Sequence, residues 1–296
     1  MELCPKCAFD IPDDWLHCPH CCVGLRPLNV HRANSTNERD ELEKRYQAAL
    51  SDAATRGSTS VVESFEAEIL NAGRAVLGST LKKLLPIAAG DRDVFATYHD
   101  LAELRFPQPT ATGAINWNTR RPQAETELLG TPKHIDKLHY AALSLDGASL
   151  PHYGECTVWL SHRMVSHRAS LLSENSAICY DRNGGTIPPG LRSDWEQRAK
   201  LCVSKLASAL EASTQSTEFP RLLLRAGQSG SGIDDEFVEV EVFGAMTIRT
   251  FERVAIKAAS PSSSAAVKRP RTRRGTAHEA AIQNYCRNNG VPCELI

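Results

Sequence analysis

The sequence lacks the long apolar runs that membrane proteins need. No stretch of about 18 consecutive apolar residues occurs in the chain. The first residues, Met1 to Cys4, contain neither the basic region nor the apolar region of a secretion signal. These absences predict a protein of the cytoplasm that has no membrane partner.

The chain also lacks a strong net charge and a strong compositional bias. Its formal net charge is −1 at pH 7, so any anionic partner must be bound by a local patch rather than by a global field. The hydrophobic fraction of 42% and the charged fraction of 23% exclude a disordered or fibrous protein. A chain of 296 residues can form a small metal module and one or two packed domains.

Five of the ten cysteines lie within the first 22 residues. Two Cys-Pro-x-Cys turns pair Cys4 with Cys7 and Cys18 with Cys21, and together they offer the four thiolates of a tetrahedral Zn²⁺ site. Residues 3 to 25 closely resemble the zinc-ribbon family. The four cysteines therefore predict a structural Zn²⁺ with no open position for catalysis. Disulfides or reactive thiols are the alternative, which the missing secretion signal disfavours.

Composition and periodicity divide the chain into a zinc ribbon at residues 1–31, a helical region at 34–106 and a mixed α and β part at 125–296. The predicted fold class is therefore α+β. In the middle region, capping patterns and apolar spacing predict helices from Ser35 to Gly57, from Ser60 to Pro86 and from Gly90 onwards, followed by a loop at 107–124.

Helical and strand patterns mix in the last part of the chain. Thr131 followed by Pro132 predicts the start of a helix that extends to residue 144. The other predicted elements are strands at Cys156–Leu160, Ala177–Tyr180 and Glu236–Phe243, a helix capped by Ser193, and a final helix at 277–289.

The strand at 236–243 has two chemically opposite faces. Val238, Val240 and Val242 alternate with Glu239 and Glu241, so the two carboxylates lie on one face about 7 Å apart. Such alternation is most often the solvated face of an amphipathic strand. Two carboxylates at this spacing can also share one catalytic site.

Four segments between residues 131 and 256 resemble toxin-type ADP-ribosyltransferase domains. They are Tyr153–Cys156, Arg168–Ser170, Glu174–Ser176 and Asp235–Gly244, the last with a Glu-x-Glu pair. The resemblance implies a split-β fold and NAD⁺ as substrate. It also implies that Glu241 is the catalytic carboxylate and that Glu239 orients or deprotonates the acceptor.

Other residues follow from the same resemblance. Arg168 is the candidate for the NAD⁺ pyrophosphate, because a guanidinium makes bidentate contacts to phosphate. Ser170 or Ser176 would support the catalytic glutamate. For the arginine or histidine that the family carries on its first strand, the candidate is His139, which lies in a segment whose pattern predicts a helix. Ordinary structural roles remain open for Arg168 and His139.

A basic run, Lys268–Arg274, places five cations within seven residues. It belongs to the stretch 258–276, whose Ala, Ser and Pro content predicts a mobile loop. Such a run is either a solvated loop or a contact for RNA, DNA or another anionic partner.

The leading hypothesis is an NAD⁺-dependent ADP-ribosyltransferase of toxin or defence type that carries a structural zinc ribbon, with a protein or nucleic acid as acceptor. The alternative is a non-enzymatic zinc-ribbon adaptor that binds nucleic acid or a protein. A nuclease or phosphoryl-transfer enzyme built on His162 and His167 is disfavoured, because no paired-carboxylate metal site accompanies them.

Overall fold

A computed structural model describes residues 2–4, 6–11, 15–22, 24–89, 94–103, 117–228, 233–257 and 273–296. The helices in these ranges are α1 (Leu28–Ala33), α2 (Thr36–Thr55), α3 (Thr59–Ala72), α4 (Leu81–Ala88), α5 (Tyr98–Glu103), α6 (Trp117–Leu129), α7 (His162–Val165), α8 (Ser176–Arg182), α9 (Arg198–Leu206), α10 (Phe219–Leu223) and α11 (Arg273–Asn288). The strands are β1 (Glu2–Leu3), β2 (Asp10–Ile11), β3 (Arg74–Ser79), β4 (Leu138–Ser144), β5 (Cys156–Leu160), β6 (Ala169–Leu172), β7 (Arg192–Asp194), β8 (Glu239–Phe243), β9 (Phe251–Ile256) and β10 (Cys293–Leu295).

Most of the strands form one eight-stranded sheet with the order β10-β9-β5-β3-β4-β8-β6-β7. Its neighbouring strands are antiparallel except for β9 and β10, which are parallel. Strands β1 and β2 form a separate small hairpin at the start of the chain. The mixed sheet and its helices confirm the α+β class.

The main hydrophobic core lies on one face of this sheet. Val238, Val240 and Val242 point into it, as the alternating pattern of β8 requires. Helices α2, α3 and α9 pack against one another on this side and supply fully buried side chains such as Phe65 and Leu201. This face anchors β8 firmly in the middle of the protein.

The opposite face of the sheet is covered where β4, β8 and β6 lie side by side. Helix α1 packs on β6 and β8, and α6 packs on both α1 and α8. A second apolar cluster fills part of this layer, with Leu28 from α1, Leu128 from α6 and Phe243 from β8 among its members. Side chains on this face of β8 are therefore enclosed by helices.

The predicted helix at 132–144 is wrong. After a short 3-10 turn at Ile135–Lys137, the chain forms β4, which pairs with β3 on one side and β8 on the other. A central strand is apolar on both faces and shows no period-two alternation, so its sequence is easily interpreted as a buried helix.

The same effect misled the prediction for residues 60–86. Helix α3 ends at Ala72, Gly73 leaves helical geometry, and the chain enters β3 between β4 and β5. Pro86 does not end that helix and lies inside the short helix α4. Val76, which lies within the predicted helix, is buried in β3 instead.

Two further predictions of local structure are corrected. Residues 117–124, expected in a loop, belong to α6, which carries Pro122 within it. Ala177–Tyr180, expected as a strand, lies in α8, because the side chain of Asn175 accepts hydrogen bonds from the backbone N–H groups of Ala177 and Ile178 and caps a helix there.

Other predictions hold wholly or in part. Strands β5 and β8 occupy the expected places, and α2 matches its predicted helix closely. The helix predicted to start at Ser193 begins instead at Arg198, because Ser193 belongs to strand β7. Helix α11 covers the predicted final helix but begins earlier, at Arg273. The start expected at Gly90, the residues 107–116 of the expected loop and most of the basic loop, 258–272, lie outside the described residues. No helix among the residues that the structure describes is both long enough and apolar enough to cross a bilayer.

A buried ion pair fastens α2 to the edge of the sheet. The Arg192 guanidinium lies 3.1 Å from a carboxylate oxygen of Glu38, and the side chains of both are almost fully buried. The backbone N–H of Gly190 donates a second contact to Glu38 at 2.7 Å. Removing one member of such a pair leaves the other charged and buried without compensation.

We expect Arg192→Met to lower the free energy of unfolding by about 3 kcal/mol or more, because Glu38 loses its counter-charge. The double variant Glu38→Met/Arg192→Met should recover much of that loss. Urea denaturation followed by circular dichroism measures both, with Lys44→Met as control, since Lys44 pairs with Glu41 at the exposed surface. Equal losses in the single and double variants would contradict the expectation.

Candidate functional site: a four-cysteine cluster and a buried carboxylate pair

The four predicted metal ligands lie together at the N-terminus. The sulfur atoms of Cys4, Cys7, Cys18 and Cys21 are all within 4.8 Å of one another, and they form the one such group found among the described residues. The Cys4–Cys21 and Cys7–Cys18 sulfur distances are 3.5 Å and 3.6 Å. Four sulfurs about 2.3 Å from a central Zn²⁺ would lie roughly 3.8 Å apart. This cluster can therefore hold a metal ion such as zinc.

The two Cys-x-x-Cys turns have equivalent backbone geometry. The N–H of Ala8 donates to the carbonyl of Cys4 at 2.9 Å, and the N–H of Cys22 donates to the carbonyl of Cys18 at 2.9 Å. Ala8 and Cys22 both adopt a positive φ, 56° and 55°. The N–H of Lys6 also points to the Cys4 sulfur at 3.4 Å. The repeated turn places each pair of sulfurs on one side of the backbone.

Two large side chains of the ribbon face solvent. Phe9 and Trp15 are exposed, and the Phe9 ring is stacked on the imidazole of His20. Leu16, between the two turns, packs instead against the apolar cluster that holds Leu28 and Phe243. The ribbon thus contacts the carboxylate-bearing face of the sheet.

Glu239 and Glu241 lie on this face of β8, and both side chains are buried. The prediction that they share one face is confirmed, whereas the solvated face that alternation usually indicates is not found. The pairing register of β8 explains the environment of Glu241, because Glu241 is opposite Tyr140 on β4 and opposite Ser170 on β6. The pair therefore lies in the interior, under helices α1, α6 and α8.

Glu241 is enclosed by polar groups from β6 and α1. The Ser170 hydroxyl donates to its Oε2 at 2.5 Å. The Asn29 amide nitrogen lies 2.9 Å from the Ser170 hydroxyl oxygen and 2.8 Å from the backbone carbonyl of Glu241. The second carboxylate oxygen of Glu241 is buried and has no hydrogen-bond partner among the residues that the structure describes. Ser170, one of the two serines predicted to support the catalytic glutamate, is thus hydrogen-bonded to Glu241.

Glu239 is held by the start of α8. The backbone N–H of Ser176 donates to its Oε1 at 2.9 Å, and the Asn175 amide lies 3.3 Å from its Oε2. Ser176 thus supports Glu239 through its backbone. The segment Glu174–Ser176, selected from the sequence, is in contact with the carboxylate pair.

Burial raises the pKa of both carboxyl groups. The pKa of Glu239 rises to about 7, chiefly through desolvation and against the attraction of Arg121. The pKa of Glu241 rises to about 8, chiefly through desolvation and also through the negative charge of Glu239. The hydrogen bond from Ser170 lowers this pKa and offsets only part of the rise. Near neutral pH the pair therefore retains a proton.

A small cleft of about 60 Å³ reaches Glu239. Its polar walls are Arg121 from α6, Tyr140 from β4 and Tyr153, and its apolar walls include Leu150 and Phe237. Glu241 is not among the residues that line it. Of the two carboxylates, Glu239 is the one that lines this cleft.

Two residues that the resemblance predicts for the site, Arg168 and His139, do not contact the carboxylates of Glu239 and Glu241. The Arg168 guanidinium donates to the backbone carbonyls of Met164, Phe243 and Ala245 at 2.8 to 2.9 Å, so it braces the end of β8. His139 pairs with Val242 in the register and therefore points to the opposite face of the sheet from Glu241. Its ring lies near that of Phe95, at a centroid distance of 6.1 Å.

Several neighbours of the pair lie at positions without a sequence signal. Asn29 is an ordinary polar residue near the end of the predicted ribbon region, and Arg121 lies in a segment whose sequence predicts a loop. Tyr140 was hidden in a predicted helix. A correct assignment of β4 would have placed Tyr140 on the face of Glu241 by alternation alone.

In comparisons with protein-family models and with curated proteins, nothing matches this chain.

We expect the purified protein to carry about one zinc per chain, because four thiolates complete a tetrahedral site. Cys18→Ser should reduce the bound zinc to near zero, whereas Cys22→Ser, which changes the exposed neighbouring thiol, should retain it. Mass spectrometry of metal content measures both. A zinc content that is the same in the two variants would contradict the assignment.

The raised pKa of Glu241 predicts a pH-dependent stability. Its folded-state pKa of about 8 exceeds its ordinary 4.5, so the stabilisation from the protonated form is complete below 4.5 and is lost as pH rises towards 8. Glu241→Gln removes this titration. We therefore compare the free energy of unfolding of the variant minus that of wild type at two pH values. This difference should be larger at pH 9 than at pH 5 by at least about 1 kcal/mol, in favour of the variant.

Chemical denaturation at both pH values measures this difference. Glu252→Gln is the matched control, because Glu252 is a strand glutamate at the exposed surface. Parallel stability curves for wild type and Glu241→Gln between pH 5 and pH 9 would show that Glu241 is not buried as an acid.

Proposed function

We propose that this protein is an NAD⁺-dependent ADP-ribosyltransferase that carries a structural zinc ribbon. The observation that supports it most directly is a buried carboxylate, Glu239, which lines a small cleft and is fixed by the amides of Asn175 and Ser176. The four segments that resemble toxin-type ADP-ribosyltransferases include Glu239, Asn175 and Ser176.

The chemistry needs a carboxylate of this kind. When the bond between nicotinamide and ribose breaks, its electron pair leaves with nicotinamide, and positive charge develops on the ribose. A carboxylate held beside the ribose stabilises that charge more in the transition state than in the ground state. The backbone N–H of Ser176 and the amide of Asn175 fix Glu239, so little reorganisation is needed as the charge appears.

In this proposal Glu239 faces the ribose, and Glu241 influences Glu239 without contacting the substrate. The resemblance implied the reverse order, with Glu241 catalytic. We favour Glu239 because it lines the cleft, whereas Glu241 is covered by Ser170 and Asn29. The positively charged nicotinamide ring would also lower the pKa of Glu239 and favour the ionised form that the reaction requires.

A larger polar cleft supports the binding of a dinucleotide. It has a volume of about 440 Å³, and its lining includes the cations Arg45, Arg182 and Lys205 beside the acidic residues Glu174, Asp235 and Glu236. Asn175 lines this larger cleft and also contacts Glu239, which lines the smaller cleft, so the Asn175 side chain lies between the two clefts. We propose that these cations take the role expected of Arg168 and bind the pyrophosphate.

The zinc-ribbon adaptor remains the second candidate. The exposed rings of Phe9 and Trp15 favour a protein partner for the ribbon, because aromatic side chains are enriched at protein interfaces. The basic run 268–274, proposed for nucleic acid, lies mostly outside the described residues. Neither feature requires a buried carboxylate in a cleft.

We expect the purified zinc-loaded protein to release nicotinamide from NAD⁺, and Glu239→Gln to reduce that rate by about 100-fold or more, because the charge-stabilising carboxylate is lost. Glu241→Gln should reduce the rate less, and Glu252→Gln should not change it. Chromatography of nicotinamide, with and without cell lysate as acceptor source, measures all four proteins.

Each result of this comparison has a distinct meaning. A larger loss in Glu241→Gln than in Glu239→Gln would support the order implied by the resemblance. Nicotinamide release that is absent from the folded wild type would contradict the transferase proposal and favour the adaptor.

A further inference from the structure

A fully buried carboxylate, that of Glu125 in α6, joins two side chains on either side of it. One of its oxygens, Oε2, lies 2.6 Å from Nε2 of His99. The other, Oε1, accepts a hydrogen bond from the Tyr140 hydroxyl at 2.9 Å. None of these three residues was selected from the sequence, and together they form one continuous hydrogen-bonded chain.

The chain begins in the cleft and ends near solvent. Tyr140 lines the same cleft as Glu239. Because its proton is directed at Glu125, the phenol oxygen keeps lone pairs that can accept a proton from a group in the cleft. At the other end, the His99 side chain is partly exposed, at 21%, and can exchange protons with water.

Arg121 provides the charge that such a chain needs. Its guanidinium carbon lies 4.4 Å from the centre of the Tyr140 ring and 4.7 Å from that of Tyr98. Its Nη1 is 4.0 Å from Oε1 of Glu125. The cation therefore stabilises negative charge on Glu125 and any that develops on the Tyr140 oxygen.

We propose that Tyr140, Glu125 and His99 form a proton relay that removes the proton of the attacking nucleophile from the Glu239 cleft to solvent. This inference rests on the proposed transferase function. Tyr140 would be the catalytic member, since it alone faces the cleft. Glu125 and His99 act through it.

The proton balance of the relay is simple. As the acceptor attacks the ribose, its proton moves to the Tyr140 oxygen, and the phenol proton moves to Glu125. The neutralised carboxyl no longer holds the His99 imidazolium, which releases a proton to water. An internal shift from Glu125 to His99 then restores the starting state, so one proton enters from the acceptor and one leaves.

His99 is the group whose titration reports the relay. Its hydrogen bond with Glu125 raises its pKa, and the other charged or titratable groups near it are Arg121, Asp136 and Tyr98. Tyr140→Phe removes the donor to Glu125, which should strengthen the attraction of Glu125 for the imidazolium. The coupling between Tyr140 and His99 can therefore be measured without any substrate.

The first arm of the test is a pH titration by NMR of protein labelled at the histidine ring carbons, with the His99 signal assigned from His99→Gln. In Tyr140→Phe we expect the pKa of His99 to rise by about half a unit or more. Tyr46→Phe is the matched control, since it removes a tyrosine-to-glutamate hydrogen bond, to Glu66, between α2 and α3. It should leave the titration of His99 unchanged.

The second arm is the pH profile of ADP-ribosyl transfer from NAD⁺. We expect Tyr140→Phe and His99→Gln to lower kcat about 10-fold to 100-fold near pH 7, with KM changed little. The rate of both variants should recover as pH rises and solvent takes the proton. A role limited to structure would lower kcat equally at every pH.

The outcomes separate this inference from the proposed function. A His99 titration that does not respond to Tyr140→Phe overturns the relay, whatever the protein does with NAD⁺. Transfer by wild type with unaltered pH profiles in both variants also overturns it and leaves the transferase intact. A folded wild type that shows the NMR coupling but does not consume NAD⁺ overturns the transferase and with it the catalytic use of the relay.

Discussion

The burial of two carboxylates on one strand is the constraint on which this structure depends. Glu239 and Glu241 are both removed from water, and an unpaired buried charge is strongly unfavourable. The surrounding elements therefore supply polar groups at defined places. Ser170 on β6 and the start of α8 at Ser176 each contact one carboxylate. The pair in this way fixes β6 and α8 relative to β8.

The constraint extends to the ribbon through α1. The Asn29 amide nitrogen lies near three oxygens at once, those of the Ser170 hydroxyl and of the backbone carbonyls of Glu241 and Arg168. Neighbouring Leu28 shares an apolar cluster with Leu16, which lies between the two cysteine turns. A metal ion that orders the ribbon therefore also helps to position the helix that covers Glu241. The region between the two cysteine turns thus packs on the same apolar cluster as the helix that covers Glu241.

The parts of the fold that carry local sequence signals were predictable. The cysteine spacing predicted the metal cluster, and the alternation of valine and glutamate predicted β8. Strands β3 and β4 were not predictable in this way. Their positions depend on pairing with strands that are distant in sequence, and because both of their faces are buried, they lack the period-two pattern. The cleft was therefore hidden, since Tyr140 lies on β4.

The candidate site was only partly predictable for a related reason. Glu239 and Glu241 could be placed on one face from spacing, but their burial depends on helices that the sequence did not place over them. Arg168 was chosen because a guanidinium suits phosphate, yet the nearby carbonyls of the turn after β8 use its donors. Residue type indicates what a side chain can do, and only the fold decides which partner it meets first.

The charges around the pair give its two members different roles. Arg121 attracts the charge of Glu239, and Arg192 that of Glu241, but each arginine also faces a second buried glutamate, Glu125 or Glu38. Neither cation is therefore a full counter-charge for the pair, so both carboxyl groups cannot ionise together near neutral pH. The single charge is favoured on Glu239, which has the lower pKa and lines the cleft, while Glu241 retains the proton. In the proposed transferase, a shared proton of this kind would leave Glu239 ionised for the substrate and keep Glu241 uncharged.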